Sequence, residues 1–152
     1  MLRLSKKADY ALMAMKHLAV KTDVVSVSAR EIAEEYDIPI ELLAKVLQRL
    51  VRRGLLTSLQ GTRGGYRLSK PSSAITIAAI IEAIDGPLTV TACSTEDDQC
   101  GQFAKCNIRD PLWRIKDRIV AALEASTLAE IASEPTDPSV HRVSLTRSTH
   151  RL

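Results

Sequence analysis

Aromatic side chains are scarce: the 152 residues hold one Trp, three Tyr and one Phe, 3% in all. So few rings argue against a base-stacking platform for single-stranded nucleic acid. No run approaches the roughly 18 uncharged apolar residues of a transmembrane helix. The opening Met1-Leu2-Arg3-Leu4-Ser5-Lys6-Lys7 lacks the apolar segment and small-residue cleavage site of a signal peptide. A cytoplasmic location without a membrane partner is therefore expected. The three cysteines are odd in number, and cytoplasmic thiols stay reduced, so no disulfide framework is expected. Nothing pairs a nucleophile with a base, cradles a phosphate in a P-loop or shows HExxH spacing, so no enzyme is expected. What remains is 45% hydrophobic and 26% charged, an ordinary balance for one domain with a real core.

The net charge of +3 hides a division. Residues 1–70 carry 13 Lys and Arg against 7 Asp and Glu, whereas residues 71–134 carry 5 against 10. A basic first half beside an acidic second half points to a polyanionic partner for the first.

Leu4, Ala8, Ala11, Met15 and Leu18 follow a 4-3-4-3 spacing, which predicts an amphipathic helix from about Ser5 to Val20. Val24 to Val27 is β-prone. Ser28 with Glu31 three residues on reads as a capping box, opening a second helix that buries Ile32, Ala33 and Tyr36. After the turn at Asp37-Ile38-Pro39-Ile40, Leu42, Leu43, Val46, Leu47, Leu50 and Val51 form the apolar face of a third helix, stopped by Gly54. Strands are expected at Leu55–Leu59 and Tyr66–Ser69, around a tip whose three glycines supply positive-φ positions.

Three helices, the last basic, followed by a glycine-tipped hairpin describe a winged helix-turn-helix for residues 1–70. Its third helix would offer Lys45, Gln48 and Arg49 to a major groove or its phosphates. Arg52 and Arg53 would meet phosphates, and Arg63 at the wing tip an adjacent minor groove. The bland alternative is a small helical domain whose basic face is merely solvated.

Residues 71–86 read as a buried connecting helix around Ile75–Ile84, and residues 87–106 as a loop without periodicity. A strong helix from Asn107–Asp110 to about Ala125 repeats apolar residues at Ile108, Leu112, Ile115, Ile119 and Ala122. Trp113, Val120 and Leu123 give it a second edge. A stripe this wide either seats on its own head or pairs with a second copy, and pairing is favoured because helix-turn-helix proteins read DNA as two-fold dimers. Thr127 caps a short last helix, closing the segment 107–132, and residues 133–152 read as a disordered tail.

Cys93, Cys100 and Cys106 lie in C-x6-C-x5-C spacing within a polar loop. Clustered thiols of this kind are not core packing. Zinc knuckles use closer cysteine pairs and a fourth Cys or His nearby, so soft thiolates at wide spacing suit an iron–sulfur cluster at least as well. A cluster-free thiol redox switch and a zinc-stabilised adaptor stay open as alternatives. His17, on the first helix, is expected at the surface.

The opening Leu2-Arg3-Leu4-Ser5-Lys6-Lys7-Ala8-Asp9-Tyr10-Ala11, the run Ile38–Leu43, the wing Gly61–Leu68 and the cysteine loop before Leu112-Trp113 together resemble the IscR/NsrR/RirA family. These are dimeric bacterial winged-helix transcription regulators, and the likeness spans about residues 1–132. The aspartate-tyrosine pair on the first helix is similar to the subgroup that regulates SUF cluster-assembly genes. The resemblance implies an iron–sulfur cluster on Cys93, Cys100 and Cys106, and a mainly helical fold with a long C-terminal dimerisation helix. It also implies cluster-dependent control of promoter DNA, as a repressor, in iron–sulfur assembly, iron or nitric-oxide responses. IscR-like members complete a two-iron cluster with a histidine shortly after the third cysteine. Here Asn107-Ile108-Arg109-Asp110 contains none. NsrR-like members complete a four-iron cluster with an aspartate from the partner's first helix, and Asp9 stands at that position. A four-iron cluster is thus expected over a two-iron one.

Overall fold

A computed structural model of the chain describes residues 3–90 and 100–135. Cys93 and most of the expected tail lie outside the described residues. In order, the described elements are α1 (Lys6–Val20), α2 (Ala29–Glu35), α3 (Ile40–Arg52), β1 (Leu56–Leu59), β2 (Gly65–Leu68), α4 (Ile77–Asp85), α5 (Arg109–Ala125) and α6 (Leu128–Ser133). Short 3-10 turns cover Ser72–Ala74 and Phe103–Lys105. None of the described helices is long and apolar enough to cross a membrane.

Side-chain caps set the helix starts. Ser5, Ser28, Thr76 and Thr127 accept from the backbone N–H groups of Ala8, Glu31, Ala79 and Glu130. Each such cap is worth about 1 kcal/mol. At α2 the Glu31 carboxylate accepts from Lys21 Nζ at 3.1 Å, so only the serine half of the expected box is in place. The reciprocal pair forms at α6, where Thr127 N–H donates to Glu130 at 3.3 Å. Helix α4 starts two residues later than the periodicity indicates. Thr76 takes the cap, and Ile75 stays extended with its carbonyl accepting from Leu128 N–H at 2.8 Å.

The core gathers around α1, whose Ala8, Ala11 and Ala14 are fully buried and small enough for α3, α4 and α6 to approach closely. Met15, Ile32, Leu43, Leu47, Leu50, Ile80 and Leu128 fill the space between them. Burying each aliphatic side chain contributes about 1.5–3 kcal/mol. Leu128 brings α6 into this core, so the chain leaves the head at the end of α4 and returns after α5. Helix α5 itself buries no residue, and Ile108 and Ile115 stay exposed at its start and middle.

The two strands pair antiparallel from Leu56↔Leu68 to Leu59↔Gly65. Val27 adds a separate rung on β2, exchanging backbone hydrogen bonds with Tyr66 at 3.0 and 2.8 Å. Among the wing glycines only Gly61 has a positive φ, +106°. Gly65 is needed for close approach instead: a Cβ there would sit 2.5 Å from the Val27 carbonyl oxygen.

Candidate nucleic-acid interface and thiol site

The turn between α2 and α3 is closed by Ile38 N–H donating to the Ala33 carbonyl at 3.0 Å, with Asp37 at φ 52°. Leu43, Val46, Leu47 and Leu50 are buried on one side of α3. Helical geometry therefore turns Lys45, Gln48 and Arg52 outward in one exposed row. Arg53, at the C-cap, is also exposed. Arg49 is placed differently. Its Nε donates to the Ala83 carbonyl of α4 at 2.9 Å, so part of its donor capacity holds the recognition helix on the core.

Arg63 is exposed at the wing tip, where its carbonyl accepts from Ser26 Oγ at 2.9 Å. With the Val27–Tyr66 rung, this bond ties both the shaft and the tip of the wing to the segment before α2. Between α3 and the hairpin runs a groove of about 350 Å³ lined by Gln48, Val51, Arg52, Ser58, Gln60 and Tyr66. Ser26, Ser58, Gln60 and Tyr66 escape sequence reasoning, since a lone hydroxyl or amide in a strand or loop carries no local sign of its long-range partner.

Cys100 and Cys106 are free, half-buried thiols at the two ends of one polar turn. Phe103 N–H donates to the Cys100 carbonyl and Lys105 N–H to the Gln102 carbonyl, both at 2.9 Å. Cys100 Sγ lies 3.6 Å from Gln102 Oε1. Asp9 sits in the first turn of α1 with its side chain 44% exposed, 3.8 Å from Lys6 Nζ. Among the described residues no three His, Cys, Asp or Glu side chains converge on a metal position, so one chain does not gather Asp9 with Cys100 and Cys106. The donor set nevertheless fits an iron–sulfur group: two free, half-buried soft thiols at the ends of one hydrogen-bonded turn.

His17 is not at the surface. It is only 8% exposed, and its Nδ1 lies 2.9 Å from the Tyr36 hydroxyl. Among the described residues it belongs to no group of three or more His, Cys, Asp or Glu side chains that could hold a metal.

A family model described as Rrf2, iron-dependent transcriptional regulator, matches residues 4–134. The HTH-type transcriptional regulator IscR of Yersinia enterocolitica is 34% identical over 133 residues, covering 87% of this chain and 80% of that protein. Among solved structures, CymR (YrzC), the global cysteine regulator of B. subtilis, superimposes with a TM-score of 0.71 at 30% identity. The match covers 88% of this chain and 98% of that one. IscR of T. potens superimposes at 0.67 with 24% identity over 92% and 97% of the two chains, a likeness that speaks for the fold alone.

Proposed function

The chain belongs to the Rrf2 family of transcription regulators, DNA-binding proteins rather than enzymes, and on that premise we propose that it is a homodimeric repressor controlled by an iron–sulfur cluster. The carrying observation is a juxtaposition in one chain. An outward polar row on α3 stands beside a tethered wing, and two accessible thiols sit on the turn at the foot of the uncovered helix α5. Lys45 and Gln48 take the major groove, Arg52 and Arg53 the phosphates, and Arg63 the minor groove. Arg49 serves the same face while it braces α3.

Cys93, Cys100 and Cys106, with Asp9 of a second chain, would hold a four-iron cluster. When bound, the cluster supplies an iron- and redox-responsive link with one labile, oxygen-ligated corner. The chain's own residues offer a route from that corner to the DNA face. Asp9 lies on α1, whose Ser5 N–H and hydroxyl both bond the Asp85 carboxylate at the end of α4. Helix α4 in turn accepts from Arg49 of α3 through Ala83. A pull on α1 is thereby passed to the recognition helix, and a coupling of about 3 kcal/mol switches affinity on the order of 10²-fold.

A cluster-free thiol sensor is the second reading, favoured by the likeness to the cysteine regulator CymR. One experiment separates the two. Wild type, a Cys93→Ser/Cys100→Ser/Cys106→Ser variant and Asp9→Ala are loaded anaerobically with ferrous iron and sulfide. Visible absorption, iron and sulfide content and promoter-fragment binding are then read. The expected result is a coloured wild type, a colourless serine variant with affinity changed at least about tenfold, and a cluster of lower stability in Asp9→Ala. A colourless wild type whose DNA affinity responds to oxidant through the same cysteines replaces the cluster reading with the thiol one. A cluster unaltered in Asp9→Ala removes Asp9 as ligand.

A further inference from the structure

Arg109, the first residue of α5, is gripped from several sides. Its guanidinium carbon lies 4.4 Å from the centre of the Phe103 ring and 5.6 Å from that of Trp113. Its Nη1 donates to the Phe103 carbonyl at 3.1 Å, and its Nε donates to Asp110 Oδ1 at 2.8 Å. The side chain is only 24% exposed. Phe103 is also the residue whose N–H closes on the Cys100 carbonyl, and the turn it opens runs directly into Cys106. One planar cation thus joins the backbone between the two described thiols to the first two turns of the uncovered helix.

We propose that Arg109 is a positioning residue for the iron–sulfur site, presetting the Cys100–Cys106 turn against the foot of α5 before any iron arrives. This rests on the cluster reading above. A turn already held has less conformational entropy left to lose when metal binds, so its thiolates grip more tightly. The planar fork matters as much as the charge, because a lysine ammonium neither stacks on two rings nor donates in two fixed directions. Since Arg109 belongs to α5, a displacement of the thiols is carried into that helix rather than absorbed by the loop.

The test compares wild type, Arg109→Ala and Arg109→Lys as full chains. In the metal-free, reduced protein, alkylation of Cys100 and Cys106 by iodoacetamide is followed by mass spectrometry, and emission of the single tryptophan, Trp113, is recorded. Both variants are expected to alkylate about fivefold faster and to shift the emission, the scale of losing one partly exposed cation–π contact. After anaerobic loading with ferrous iron and sulfide, both are expected to surrender the cluster to a chelator about fivefold faster than wild type, with the visible spectrum altered. If wild type loads and the alanine variant matches it in alkylation and retention, the inference falls while the cluster reading stands. Full rescue by lysine overturns the stacked-plane role. A wild type that takes up no cluster overturns both.

Discussion

Helices α1 and α5 have 15 and 17 residues and repeat apolar side chains at the same 4-3-4-3 spacing, yet α1 buries six residues and α5 none. The difference lies in what each helix meets. Three alanines on α1 let α3, α4 and α6 close around it. Helix α5 begins after the cysteine turn, touches α4, and hands the chain back to the head at Leu128. Periodicity records that a face needs cover, but not whether the cover comes from the same chain. For α1 it is intramolecular. For α5 our reading supplies a second copy, which also places two recognition helices for a two-fold operator.

The strongest way to break this contrast is Ile115→Asp with Ile119→Asp, two changes on the α5 stripe. The double variant should sediment as a monomer and lose about 10³-fold in operator affinity, roughly 4 kcal/mol, because the second head no longer binds as a tethered partner. Its melting temperature should fall and lose its dependence on protein concentration, since Ile119 is half-buried in the single chain and a partner that binds only the folded state stabilises it by mass action. A variant that stays dimeric would show that another surface joins the copies.

The complementary change is Leu128→Ala, in the segment that returns from α5. Leu128 is fully buried, and a leucine-to-alanine cavity costs about 3 kcal/mol. Thermal melts should drop by roughly 10 °C, while sedimentation at a temperature below the transition still reports the dimer. A loss under about 1 kcal/mol would mean that α6 is dispensable to the head, against its packing on α1.

The recognition helix is legible from sequence because Leu43, Val46, Leu47 and Leu50 repeat on one side, which leaves Lys45, Gln48 and Arg52 the other. Arg49 is not, because its placement depends on the last carbonyls of α4, which attract a cation from a helix 34 residues away in sequence. The wing is legible in its glycines, but the reason for Gly65 is the Val27 carbonyl beneath it rather than a positive φ. The thiols are legible as residue types at a spacing. The clasp that holds their turn is not, since Phe103, Arg109 and Trp113 are remarkable only once stacked. Long-range partners of single polar side chains are what local patterns omit.

His17 gives the smallest expected effect and the sharpest probe of the head alone. Its ring meets Tyr36 edge-on, and its Nε2 is buried 3.9 Å from Glu31 Oε1 without a hydrogen-bond partner. Burial pushes its pKa below the ordinary value of 6.5, and Lys21 adds to this, while Glu31 and Glu35 oppose it. The native state therefore holds His17 neutral where the unfolded chain begins to take up a proton. Stability is full above about pH 6.5 and declines as pH falls through that value toward the lower native one. Melts of wild type and His17→Gln between pH 7.5 and 5 isolate this contribution, because every other titrating group is common to both. The variant should lose less stability than wild type over the acid half of the range, with the oligomeric state of α5 unchanged. Equal slopes would mean that the imidazole is protonated as readily in the folded head as in the open chain.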